Sequence, residues 1–322
     1  MSQLGGAPGS GAGAGDVGGE LSEGERALFL DSKGRRYLVT LVEGGRFHTH
    51  AGYIEHDSVI GRPGATEVRS ATGARFVVVR PTLADTVVAM PRGAQVIYPK
   101  DLAAILMAAD IFAGASVLEA GVGSGALSMA LVRAGARVVG YELRADFAAR
   151  ARANVAAFVA EDAGAGGRRA GRSGPEGYWP GESRAGGEAP APDQVPAYRV
   201  EERDVYEGIE ERGLDRVVLD LPEPWRVLTH AAVALVAGGI LVAYVPGILQ
   251  VSALREAMAA HGSPWGLTET FEVLHRSWHV EGRSVRPDHR MVAHTGFLTA
   301  ARLLGQQTNS AGYKHPASPM ES

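Results

Sequence analysis

The sequence predicts an α/β protein: a doubly wound, Rossmann-like sheet preceded by a small β domain. Three observations carry this prediction. From about residue 100 to 274, short apolar runs alternate with segments of helical spacing, as in a parallel sheet with crossover helices. Within that region, ASVLEAGVGSGALSMALVRAGARVVGYELR (115–144) reads strand, glycine turn, helix, strand. Ahead of it, short strand candidates follow one another closely between Gly, Pro and Asp.

Bulk numbers narrow the class. A chain of 322 residues has room for roughly two domains. No apolar run reaches the ~18–20 residues that span a bilayer, so no membrane role is expected. The glycine-rich start lacks the basic and apolar regions of a signal peptide. The absence of cysteine excludes disulfides, thiolate metal sites and cysteine nucleophiles, and it fits a cytoplasmic protein. At a net charge of −4, any grip on nucleic acid must rest on local patches.

Taken in order, residues 1–20 are mostly Gly, Ala and Ser and read as a disordered tail. The β domain spans 21–92, with strands at 35–42, 52–55, 58–60, 67–70 and 75–80, and a barrel is one way to close it. Nothing in it resembles a catalytic cluster. The larger domain spans 93–302. A helix over 99–112 places Leu102, Ile105, Leu106 and Ala109 on one face, with Asp101 in its first turn. Strand 116–120, helix 126–134 and strand 137–141 form the glycine-turn unit. An alanine-rich helix follows over 145–159, with Phe147, Ala151, Val155 and Phe158 as its apolar stripe.

Residues 161–197 lack periodicity and read as a low-complexity insertion. Its Arg168, Arg169, Arg172 and Arg184 are candidates for touching RNA, although a solvated loop is the plainer reading. Strands at 198–201 and 214–219 come next, then a helix over 227–236 closed by Gly238-Gly239. Strand 240–245 and helix 250–261 continue the alternation. Segments 268–274 and 289–300 read as antiparallel edge strands with an Arg/His-rich loop between them. The end, 303–322, is polar and loose.

Two kinds of ligand suit the glycine turn. Gly121-x-Gly123-x-x-Ala126, with an acid roughly 20 residues on, satisfies the dinucleotide fingerprint. The same unit also serves S-adenosylmethionine (SAM). Glu119, just before the turn, would repel a pyrophosphate but attract a cationic amino acid group, which favours SAM. Four carboxylates fall at successive strand ends: Glu119, Glu142, Asp204 and Asp220. Each alone reads as a surface acid; in succession they point to one crevice. Glu142 suits a ribose, Asp204 an adenine amino group, and Asp220 the position nearest a reacting methyl.

Asp220 is followed by Leu221-Pro222-Glu223-Pro224-Trp225, whose prolines stiffen the turn and fix the carboxylate. Methylation at adenine N1 makes the ring cationic and acidifies its N6 amine. A carboxylate bonded to that amine would hold the base and accept the proton. The duller role for Asp220, capping helix 227–236, suffers from the intervening prolines. Tyr98, before Pro99, is held extended, so its ring suits closing over the pocket or stacking on a base; an ordinary buried tyrosine is the alternative. Lys100 reads as a surface charge. In HRSWHVEGRSVRPDHRMVAHT (275–295), Arg276, Arg283, Arg286 and Arg290 surround Trp278, which suits an RNA strand as well as a solvated loop. The histidines there match no metal spacing, and no metal is expected.

These residues together resemble the tRNA (adenine-58, N1)-methyltransferase family in its bacterial and archaeal homotetrameric form. The likeness runs over nearly all of 25–300: HAGYIEHDSVIGRPG, PTLADTVVAMPRGAQVIYPKD, VLEAGVGSGALS, RDVYEG, LDLPEPW, YVPGILQV and RPDHRMVAHTGFL. The glycine turn is generic to SAM enzymes, whereas AQVIYPKD, DLPEPW and HTGFL in this order are far more specific. The resemblance implies SAM as cofactor, tRNA as substrate, a homotetramer, and methylation of N1 of an adenine in the T-loop. It places the catalytic aspartate on Asp220 and the substrate-pocket tyrosine on Tyr98. SAM contacts carry over to Gln95, Gly121, Val122, Gly123, Ser124, Gly125, Ala126, Leu127, Glu142 and Asp204, with Leu143, Arg144 and Val205 beside them. The insertion departs from the family's compact form, but no motif residue falls within it. Because the base lies inside a folded elbow of tRNA, it must be flipped out. Two other readings remain: a nucleotide-dependent oxidoreductase, and a non-catalytic RNA-binding subunit with the same fold. The intact turn and Asp220 speak against the second.

Overall fold

In the computed structural model the described residues are 19–90, 93, 95–169 and 197–305, with side chains omitted over 162–169. The expected N-terminal and C-terminal tails, most of the insertion, and the side chains of Arg168, Arg169, Arg172 and Arg184 therefore lie outside the described residues. By compactness the chain divides between Asp85 and Thr86.

The first strand of the first unit, β1 (Arg26–Asp31), is a run that alternation rules pass over. It pairs antiparallel with β2 (Arg36–Thr40). A separate ribbon joins β3 (Arg46–Thr49) to β4 (Gly52–Glu55), and β5 (Ala65–Arg69) and β6 (Arg75–Val79) complete the main sheet in the order β2-β1-β6-β5. β1 is central and covered, so its burial is continuous over Ala27–Phe29 instead of alternating. The pairing runs open from β2 to β5, so the expected barrel is replaced by a sheet and a ribbon. Phe29, Leu41, Ile54, Val59 and Phe76 form the core. The strand expected at 58–60 is a 3-10 turn, His56–Ser58. There the Ser58 hydroxyl donates to the Glu55 carbonyl (2.7 Å), a local bond that competes with a ladder. The seven-residue helix α1 (Leu83–Ala89) starts on reciprocal bonds between Thr82 and Asp85.

In the second unit α2 (Pro99–Ala108) is shorter than its apolar stripe suggests. Asp110 takes a left-handed φ of 48°, and Arg216 donates to the carbonyls of Ala109 and Asp110, ending the helix before Phe112. Then come β7 (Ser116–Ala120), α3 (Ala126–Arg133), β8 (Arg137–Glu142) and α4 (Ala145–Arg169). The last runs ten residues past the expected 145–159, into the segment read as a loop. β9 (Tyr198–Glu202), β10 (Leu214–Asp220), α5 (Leu228–Ala234), β11 (Leu235–Val245) and α6 (Ile248–Ala259) continue the alternation. Gly238-Gly239 does not close a helix. The pairing with β10 jumps from Leu214↔Leu235 to Arg216↔Ile240, so the glycines lie in an irregularity within β11, with Gly238 at φ 79°.

β12 (Trp265–Phe271) precedes a hairpin of β13 (Trp278–Glu281) and β14 (Ser284–Pro287), where a loop was expected. β15 (Phe297–Leu303) begins eight residues later than the expected 289. The sheet runs β12-β15-β11-β10-β7-β8-β9; β11, β10, β7, β8 and β9 are parallel, and β15 pairs antiparallel with both neighbours. This is the doubly wound, Rossmann-like arrangement, and it brings the carboxyl ends of five parallel strands to one edge. Among the described residues no helix is long and apolar enough to cross a membrane.

Candidate active site

The strand edge is shaped first by glycine. Gly121 (φ 83°) donates to the Tyr141 carbonyl (3.0 Å), and a Cβ there would run into the backbone carbonyl of Asp220. The turn after β7 therefore lies directly against the end of β10, where only glycine fits. Gly123 (φ 56°) donates its amide to Glu142 Oε2 (2.9 Å), and Arg144 donates its own to Oε1 (3.0 Å). Gly125 starts α3 at φ 86° and packs on Val155 and Ala151.

A cleft lies over this turn. One wall is the extended segment Gln95, Val96, Ile97; the other is the turn with Ala126 and Leu127 of α3, and Glu119 and Asp220 line it as well. Glu119 is 1% exposed, and its Oε2 accepts from the Ser128 hydroxyl (2.6 Å), which itself accepts from Tyr198 (3.1 Å). Burial, with smaller contributions from Asp220 and Glu142, pushes the Glu119 carboxyl up to about 8, although the Ser128 bond opposes the shift. Burial first, then Glu142, pushes Asp220 up to about 7. Among the described residues nothing donates to the Asp220 carboxylate. The loop behind it is anchored instead: Glu223 N–H donates to the Tyr206 hydroxyl (3.2 Å), and Gln250 Nε2 donates to the Pro222 carbonyl (2.8 Å).

These features fit SAM. The Ser124 hydroxyl is buried on the cleft with no partner among the described residues, which leaves a polar position for a ligand. Two desolvated carboxylates favour a cationic ligand and disfavour a pyrophosphate, so the chemistry of the cleft does not suit a dinucleotide.

The structure brings Gln95, Glu119, Gly121, Val122, Gly123, Ser124, Ala126, Leu127 and Asp220 together on this cleft. Gly125 supports it from behind. Glu142 braces the glycine turn, while Leu143 and Arg144, both exposed, follow it, and Arg144 pairs with Asp146. Asp204 accepts from the Tyr206 amide (2.9 Å), and Val205 is buried in the core. Tyr98, half-buried, gives its carbonyl to the first turn of α2.

Several residues escaped the sequence reading. Lys100 is not a surface charge: its Nζ donates to Asp101 Oδ1 (2.7 Å) and Thr295 Oγ1 (2.6 Å), and Asp101 is fully buried. Tyr244, one residue before the end of β11, lies opposite Asp220 in the register. Burial pushes its hydroxyl up to about 12, a Thr295 hydrogen bond opposes this, and Asp101, Asp220 and Tyr98 add to it. The motifs around Lys100 and Thr295 were visible, but nothing local said that they meet.

The basic segment forms the β13–β14 ribbon and its flanks. Arg276, Arg283, Arg286 and Arg290 are exposed and make no ion pair among the described residues, and Trp278 is 59% exposed. Among the described residues no cluster of His, Asp and Glu has the arrangement of a metal site.

Known proteins agree with this geometry. Residues 19–68 match a family model described as TrmI-like N-terminal; 75–159 and 194–289 match one described as tRNA methyltransferase complex GCD14 subunit. The tRNA (adenine(58)-N(1))-methyltransferase TrmI of Thermus thermophilus is 37% identical over 85% of this chain and 95% of its own length. The tRNA (adenine(57)-N(1)/adenine(58)-N(1))-methyltransferase TrmI of Methanocaldococcus jannaschii is 34% identical over 86% and 94%. Among solved structures, a SAM-dependent O-methyltransferase from Thermotoga maritima superposes with a TM-score of 0.76 at 27% identity, covering 91% of this chain and 98% of that one. The tRNA (m1A58) methyltransferase TrmI from Aquifex aeolicus gives 0.69 at 26%, covering 89% and 99%.

Proposed function

The chain belongs to the tRNA (adenine-58, N1)-methyltransferase family, and from that premise we propose how its residues divide the work. The enzyme methylates N1 of adenine 58 in the T-loop of tRNA, with SAM as methyl donor. When bound, SAM supplies the electrophilic methyl group. Glu119, Ser124, the Gly121–Gly125 turn and Gln95 would hold it on the cleft, with Glu142 and Asp204 as candidates for its nucleoside.

Asp220 is the catalytic acid–base group. Its carboxylate accepts a hydrogen bond from the exocyclic amine of the flipped adenine and takes a proton from it as the ring becomes cationic. The free pKa near 7 suits that exchange. Tyr98, at the entrance to α2, packs against the base. The observation that carries this reading is the Asp220 carboxylate: on the cleft, with no donor among the described residues, and held by a loop that Tyr206 and Gln250 anchor.

Arg276, Arg283, Arg286 and Arg290 bind tRNA phosphates, and Trp278 offers a stacking face. The homotetramer belongs to the same proposal: exposed Val280 and Val285 are apolar surface that another copy would cover. A cytoplasmic location belongs to the same proposal. Nucleoside analysis of tRNA after incubation with methyl-labelled SAM tests the residue roles. Label in 1-methyladenosine that vanishes in Asp220→Asn supports them; full labelling by that variant removes Asp220 from the mechanism. Light scattering tests the assembly.

A further inference from the structure

Three consecutive residues before β15 each grip a different wall of the reactive end. His294 donates from Nε2 to the Pro246 carbonyl (2.9 Å), in the turn after β11, and its Nδ1 faces Glu272 Oε2 (2.9 Å), just past β12. Thr295 donates from Oγ1 to Asp101 Oδ2 (2.6 Å) and accepts from Lys100 Nζ (2.6 Å). Gly296 lies flat on the Tyr244 ring, and any Cβ there would run into it.

Lys100–Asp101 is a buried ion pair, and such a pair holds its place only if the leftover donors and lone pairs are satisfied. Thr295 supplies both missing partners at once. One hydroxyl proton serves the second carboxylate oxygen, and one lone pair serves the ammonium. Lys100 also neutralises Asp101, which would otherwise add a further anion near Tyr244. Tyr244 is thus held at its ring by the backbone of Gly296, whose neighbour Thr295 is itself fixed by the ion pair.

We propose that His294-Thr295-Gly296, acting through the Lys100–Asp101 pair, is a positioning element for methyl transfer: it fixes Tyr244 beside Asp220 and so sets the geometry in which Asp220 meets the base. None of the three touches substrate. The inference rests on the assignment of Asp220 above. It predicts a cost in turnover and none in ligand affinity, since the clasp stands behind the reactive end and outside the lining of the cofactor cleft.

The test compares Thr295→Val, which keeps shape and loses the hydroxyl, with Thr295→Ser, which keeps the hydroxyl. Thr295→Val should lower kcat for tRNA methylation about tenfold or more, with the Kd for SAM and the KM for tRNA within twofold of wild type. Thr295→Ser should recover most of kcat. Gly296→Ala, which displaces the ring without touching the ion pair, should lower kcat in the same way and provides an arm that survives if Thr295→Val fails to fold. Wild-type kcat in either Thr295→Val or Gly296→Ala overturns the proposal. So does an equal loss in Thr295→Val and Thr295→Ser, or a loss confined to SAM affinity or melting temperature. Asp220→Asn runs alongside: if it is inactive while Thr295→Val is normal, only the clasp falls; if it is fully active, the assignment of Asp220 falls first.

Discussion

The acids at the strand ends and the arginines of the β13–β14 ribbon solve opposite problems of charge. Glu119 is buried and Asp220 half-buried on the cleft, and burial raises both well above ordinary carboxylates. Arg276, Arg283, Arg286 and Arg290 stay solvated and unpaired among the described residues. A desolvated acid discriminates sharply by the charge and shape of what reaches it, because few partners compensate its burial. A solvated arginine discriminates little and contributes affinity that salt removes. The pocket is therefore suited to recognise a small cationic donor and one base, and the ribbon to hold a large polyanion. On the proposed assignment, this separation would let a chain of net charge −4 act on tRNA.

The largest expected effect tests the pocket side. Asp220→Asn keeps the shape and loses the charge, and methyl incorporation into tRNA should fall roughly 10²–10⁴-fold, while SAM still binds by calorimetry. Next comes Gly121→Ala. Its φ of 83° and the Asp220 carbonyl leave no room for a side chain, so the strain should cost on the order of 1–3 kcal/mol of stability and abolish measurable SAM binding. Normal SAM binding in this variant would mean that the turn is not the floor of the cofactor site.

The ribbon side should respond more gently. Changing Arg283 and Arg286 to Ala should reduce the salt dependence of tRNA binding by about one unit of slope per arginine and leave turnover at saturating tRNA unchanged. An unaltered slope would return the ribbon to an ordinary solvated surface. The smallest effect is one of pH. In the free protein Glu119 and Asp220 titrate near 8 and 7, above their usual values. Below that range both are neutral, and a cationic donor must displace protons to bind. SAM affinity should therefore rise with pH through 7 to 8 and level off above, with proton release measurable in buffers of different ionisation enthalpy. S-adenosylhomocysteine, which lacks the sulfonium charge, should show a shallower rise. Equal pH profiles for the two would detach these acids from the sulfonium.

Much of the pocket was legible because its signals are local. The glycine turn and the acids at the ends of β7, β8 and β10 each sit within a few residues of the apolar run that makes the strand. What escaped has physical causes. β1 is covered on both faces and shows no alternation, whereas β13 and β14 are so exposed that apolar spacing is missing for the opposite reason. The Thr82–Asp85 capping signal of α1 was present but short. Gly238-Gly239 fits a helix stop as well as a strand irregularity, and only pairing with β10 decides. Lys100 and Thr295 lie 195 residues apart in sequence, so no window of sequence joins them.

That distance also imposes an order on synthesis. The glycine turn and the strand-end acids are all synthesised by residue 220, whereas Thr295 comes near the end of the described chain, just ahead of the strand that inserts between β11 and β12. A nascent chain thus acquires its donor-binding groups well before it can align them. If the proposed clasp acts as inferred, a chain truncated before Thr295 should methylate poorly even where its cleft has formed.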